Sequence, residues 1–170
     1  MRSQHRIKAQ KLMDGDGMDQ DIDKAILTLV QGANEGDRGC FFDLAETYFD
    51  GVPEDDTDKA IHYLEAGANA GHGKCAAMLS ELYQKGTIAF CDEDIVKRNP
   101  ERSFEWAQKG AENSDPECLV KLGTFFKENG DNDKAEIFLK KCMSLELDLI
   151  EDYSDKELRN WQNQAEAALN

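Results

Sequence analysis

No stretch of this 170-residue chain approaches the roughly 18 consecutive apolar residues that a membrane-crossing helix needs. With only three prolines and 13 glycines, the chain is neither fibrous nor low-complexity. Histidine is scarce (His5, His62 and His72), and no Cys-x-x-Cys or His-x-x-His pair occurs, so the spacing of a zinc site is missing. The opening MRSQHRIKAQKLM has scattered positive charge but no apolar centre, so a secretory leader is not expected. The five cysteines are an odd number and cannot all pair within one copy. Together these features point to a reducing, cytoplasmic setting.

What the chain has is acid. Its formal charge is −15, and 32% of its residues are charged against 40% apolar. Arg2, Arg6, Lys8 and Lys11 stand together near the start with no acid among them, so the negative excess lies beyond residue 13. Such a field repels phosphate backbones, and no nucleic-acid partner is expected. It either serves solubility or speeds association with a basic protein in a salt-sensitive way.

One segment recurs without gaps. Cys40, Leu44 and Tyr48 align with Cys75, Leu79 and Tyr83 at an offset of 35, and with Cys118, Leu122 and Phe126 after a further 43. Positions i, i+4 and i+8 form one stripe of a helix, so all three side chains should point into packing. A second block lies between these copies. Lys24-Ala25, Lys59-Ala60, Arg102-Ser103 and Lys134-Ala135 are followed by Thr28, Tyr63, Trp106 and Phe138, then by Gly32, Gly67, Gly110 and Cys142. A mid-helix glycine costs about 1 kcal/mol relative to alanine. Its recurrence implies a steric need for bare backbone.

The boundaries fit helix pairs. Aspartate-rich turns supply N-caps, and Gly36, Gly71, Gly86 and Gly130 fall where helices should stop. Ser154 and Glu157 have capping-box spacing, opening a helix whose Leu158, Trp161, Ala165 and Ala168 share a stripe. The reading is one all-α domain over 1–170, with repeats at about 3–35, 38–71, 73–114 and 117–146 and a cap helix at 155–169. Residues 87–99 are an insertion whose Ile88, Phe90, Ile95 and Val96 either project as a binding surface or tuck back onto the helices.

Both blocks together resemble the Sel-one-like repeat, a relative of the tetratricopeptide repeat. The resemblance rests on Leu44, Tyr48, Gly51-Val52, Asp55, Lys59-Ala60, Tyr63, Ala68 and Gly71, with looser copies through Leu79 to Ala111 and Leu122 to Phe138. Ala45 and Ser80 replace the family's helix glycine, Thr28 its aromatic and Ser114 its closing glycine. The resemblance covers residues 22–146. It implies a right-handed superhelical solenoid of about four antiparallel helix pairs that works as an adaptor or scaffold for other proteins. It also implies buried free thiols, since each matching repeat has one cysteine where disulfide-bonded members have two.

Chemistry is otherwise thin. His72 and Cys75 are close in sequence, but Cys75 belongs to the packing stripe and lies in an acidic chain, which is a poor setting for a thiolate. Asp14-Gly15-Asp16-Gly17 opens like a calcium loop, yet Met18 and Asp19 stand where an oxygen ligand and glycine are required. No phosphate loop occurs, and neither an enzyme nor a cofactor is expected. A partner should meet the concave wall built by the first helix of each pair. That wall comprises Phe42, Glu46 and Phe49, then Ala77, Glu81 and Gln84, then Val120, Thr124 and Lys127. Phe42 and Phe49 either anchor a basic or amphipathic segment or seal the joint with the first pair. A second use for such a small acidic protein is to mask a toxic enzyme as an inhibitor or immunity-type protein.

Overall fold

The computed structural model describes residues 3–17, 19–52, 56–87, 95–150 and 152–170, with the side chain of Leu149 left out. Among them there are helices and no strands. The helices are α1 (Gln4–Asp14), α2 (Ile22–Asn34), α3 (Gly39–Phe49), α4 (Thr57–Asn69), α5 (Gly73–Lys85), α6 (Pro100–Glu112), α7 (Pro116–Glu128), α8 (Asn132–Met143) and α9 (Asp155–Leu169). A 3-10 turn, Leu147–Leu149, precedes α9. Each helix packs on its neighbours in sequence, and α9 closes the stack against α7 and α8. The chain is an all-α helical solenoid.

The second helix of each pair begins the same way. Asp21, Asp56, Asn99 and Asp131 accept the backbone N–H three residues on, from Lys24, Lys59, Arg102 and Lys134. Three of these basic residues then reach back over the ring of the first helix. Lys59 lies 5.2 Å above Tyr48, Arg102 5.1 Å above Tyr83 and Lys134 5.1 Å above Phe126. Within two pairs the aromatics of the two helices also stack, Tyr48 on Tyr63 and Phe126 on Phe138. The recurring basic-plus-aromatic pattern therefore joins the two helices of a pair.

A second device joins one pair to the next. Cys40, Cys75 and Cys118 are fully buried, and each sulfur lies against Gly32, Gly67 and Gly110 respectively of the preceding pair. A Cβ on Gly67 would stand 2.6 Å from the Cys75 sulfur, far inside contact distance. The bare backbone implied by the recurring glycine is the seat of the next repeat's cysteine. Helix ends follow the glycines as expected, with positive φ at Gly36, Gly71, Gly86 and Gly130. At the third pair Ser114 takes the same left-handed conformation, φ 61°, without a glycine's freedom.

Of the insertion, Ile88 and Phe90 lie outside the described residues. Its far end folds back: the Ile95 and Val96 amides donate to the Gly86 carbonyl at 2.7 and 3.0 Å, and Val96 packs beside the core around Tyr83.

Candidate functional site

The solenoid's first helices, α5 and α7, stand beside α6 and α9 around a groove of about 600 Å³. Four of the nine wall positions read from the sequence meet there: Glu81, Gln84, Val120 and Thr124. The floor is apolar, with Ala107, Leu122 and the Trp161 ring supporting Phe104. Phe104 meets Phe125 at 4.8 Å between centroids, and Phe125 also lies edge-on to Phe126. Phe125 is 43% exposed, a large ring left partly in water at the mouth of an apolar groove.

The rim is charged. Glu81 is bound by Lys85 at 2.5 Å, and Lys121 donates to the Ser80 hydroxyl at 2.7 Å. Glu117 and Glu128 make no ion pair among the described residues. Burial, reinforced by the charges of Asp115 and Glu81, pushes the Glu117 carboxyl up to about 7. Burial likewise draws Lys121 down from its ordinary value. A cation arriving between Glu81 and Glu117 would relieve that repulsion.

The other five wall positions are elsewhere. Phe42 is 6% exposed: it stacks on His72 at 5.8 Å between centroids, and Lys74 lies over its ring. The expected open groove face at Phe42 is thus corrected, because the start of α5 closes over it. Ala77 is buried too, in the core shared with α6 and α7. Val120, though it edges the groove, is only 7% exposed. Phe49 is half-buried against the core around Tyr83. Glu46 is exposed beside a smaller recess with Arg6 and Asp43. Lys127 is exposed and donates to the Ala168 carbonyl at 2.5 Å, tying α7 to the end of α9. First helices packed side by side cover more of each other than a single helix wheel can show.

Phe104, Phe125 and Trp161 were not among the wall positions read from the sequence. Phe125 aligns with Thr47 and Leu82, and Phe104 with Ile26 and Ile61, so both depart from the repeat toward larger rings. That departure was the available signal.

His72 and Cys75 do come together, for a structural purpose. His72 caps α5, its Nδ1 accepting the Cys75 backbone N–H at 3.3 Å. Its Nε2–H is then left to donate to Asp152 at 2.8 Å. Cys75 is fully buried, and burial together with the charges of Asp152 and Glu46 pushes its thiol well above the ordinary value. The pair holds no thiolate for nucleophilic attack.

Stacked helix pairs with a side-chain-lined groove define a solenoid scaffold. The chain belongs to the Sel1 repeat family, whose model matches residues 12–36, 42–72 and 73–115. Proteins built on this repeat generally mediate protein–protein contacts and are generally non-catalytic. The structure is similar to that of a Sel1 repeat protein from Oxalobacter formigenes at TM-score 0.63 and 15% identity, over 98% of this chain and 73% of that one. It is also similar to a protective antigen present in uropathogenic Escherichia coli strains and displaying an SLR fold. There the TM-score is 0.60 and identity 20%, over 95% of this chain but 37% of the antigen. No curated protein matches the sequence. Among the described residues, no helix is long and apolar enough to cross a membrane.

Proposed function

We propose that this chain is a non-enzymatic adaptor that takes a basic, amphipathic segment of another protein into the groove between α5, α6, α7 and α9. The supporting observation is Phe125, half in water over an aromatic floor, beside the unpaired carboxylates of Glu117 and Glu128. An apolar side chain on such a segment would cover Phe125, and a neighbouring Lys or Arg would lie between Glu81 and Glu117. The net charge of −15 adds long-range attraction for the same chemistry. Residues 1–170 act as one domain in this reading, since core clusters follow one another from α1 to α9. A cytoplasmic setting accords with the buried, unpaired thiols of Cys40, Cys75, Cys118 and Cys142.

The test is a photo-crosslinking residue placed at Thr124, on the groove wall, in the intact protein. Adducts should map to Lys- or Arg-rich amphipathic segments and fade as salt rises. Adducts on acidic segments, or a yield indifferent to salt, would remove the reading.

A further inference from the structure

The two residues just before α9's N-cap reach back across the solenoid. Asp152 places one carboxylate oxygen 2.7 Å from an Arg6 nitrogen on α1 and the other 2.8 Å from His72 at the start of α5. Its main-chain carbonyl accepts from Lys74 at 2.5 Å. Tyr153 follows, donating its hydroxyl to Asp115 at 2.7 Å, with Lys74 over its ring at 4.6 Å. Two consecutive residues thus join α1, α5 and α7, and Asp152 does so at φ 62°, uncommon for a residue with a side chain.

The groups that receive them are fixed by other means. Asp43 grips Arg6 through Nε and the second terminal nitrogen at 2.7 and 2.6 Å, which aims the remaining nitrogen at Asp152. His72 is oriented by the Cys75 amide, and Asp115 by its role as N-cap of α7, accepting from the Cys118 amide at 2.9 Å. Arg6 is 5% exposed, His72 0% and Asp115 2%. Three buried polar side chains, preorganised and converging on one bent dipeptide, have the layout of a peptide-recognition site: carboxylate capture, a main-chain contact and a phenol pocket.

We propose that this is a second binding site, filled here by the chain's own Asp152–Tyr153, whose exchangeable ligand is a partner segment that presents the same aspartate–tyrosine pair at a bend. Aspartate is specified because its two oxygens are held by different donors, the Arg6 guanidinium and the His72 Nε2–H. Tyrosine is specified because phenylalanine would leave the buried Asp115 oxygen without its hydroxyl donor. This acidic ligand is chemically the opposite of the basic segment assigned to the Phe125 groove, so the two readings stand or fall separately.

A tethered ligand competes at about millimolar effective concentration, which masks the site in the unaltered chain. The test therefore uses the full chain carrying Asp152→Ala and Tyr153→Ala. The probe is a fluorescent peptide of residues 147–156, LDLIEDYSDK. The peptide should bind this variant at least about tenfold more tightly than the unaltered chain. Replacing its aspartate by asparagine, or its tyrosine by phenylalanine, should each weaken binding about tenfold or more. Adding Arg6→Met to the receptor should abolish it. Should the double variant fail to fold, Tyr153→Phe alone removes the hydroxyl donated to Asp115, weakens the tethered competitor and must still bind the peptide better than the unaltered chain does. A folded variant that ignores the peptide, equal binding by the unaltered chain, or indifference to either peptide substitution overturns the proposal.

Discussion

The sulfur of Cys75 stands where the backbone of Gly67 lacks a side chain, 2.6 Å from the place a Cβ would take. Gly32 bears the same relation to Cys40, and Gly110 to Cys118. Each repeat is thereby keyed to the next by a bare backbone on one side and a small, soft, buried atom on the other. Phe41 crowds Gly67 as well, at 2.9 Å, so little slack exists.

Alanine at position 67 therefore sets two effects against each other. Helix propensity favours the substitution by about 1 kcal/mol, while overpacking opposes it by about 1–3 kcal/mol. Gly67→Ala should lower stability in urea by about 1–2 kcal/mol net. Cys75→Ala in the same chain should return part of that loss. A Gly67→Ala variant more stable than the parent would refute the keying.

Ser114 offers the converse case. It holds φ 61° at the turn where Gly36 and Gly71 close the two preceding pairs. Ser114→Gly should raise stability by about 0.5–1 kcal/mol, seen as a higher melting temperature. No gain would mean that the turn is held by something other than its backbone conformation.

Glu117 and Asp152 should shape the pH profile in opposite directions. With its folded value near 7 against an ordinary 4.5, Glu117 favours the fold fully on the acid side of 4.5, and that contribution is lost as pH rises through 7. Glu117→Gln should thus gain about 1 kcal/mol at pH 8, a figure reduced for the solvent the carboxyl still sees, and little at pH 4.

Asp152 runs the other way. Burial disfavours its charge, but the His72 hydrogen bond and the Arg6 charge outweigh burial and hold it at about 2. Its contribution is present above an ordinary carboxylate's range and disappears as pH falls through 2. Asp152→Asn should destabilise by about 1–3 kcal/mol at pH 7, with the difference from the parent closing toward pH 2. Equal stability at neutral pH would show the clasp to be idle.

For the groove, Phe125→Ala should leave stability within about 1 kcal/mol, since the ring is already half in water. Binding of the crosslinked basic segment should fall about tenfold or more. Ile137→Ala, at a residue of α8 that is 65% exposed and outside the groove, is the control and should change neither.

Local and nearest-neighbour relations were open to the sequence. A cap and its amide are three residues apart, a stripe repeats every four, and Gly67 precedes Cys75 by the same interval as Gly32 precedes Cys40. Such relations recur at fixed offsets because stacked pairs meet in one way, so repetition exposes them even at low identity. The helices, their stops, the buried cysteines and the solenoid were legible on that ground.

Relations that occur once leave no periodic trace. Nothing in the pattern joins His72 to Asp152, 80 positions on, or Arg6 near one terminus to the same carboxylate near the other. Phe42 reads as a wall position on an isolated helix and is buried only because the start of α5 lies against it. The groove likewise exists because α9 brings Trp161 to α5, α6 and α7. The repeating sequence by itself determined how each pair forms and stacks, since those contacts are short-range and reiterated. Only the tertiary structure decided which surface stays open and what the chain's own end covers, because those depend on where separate elements arrive in space.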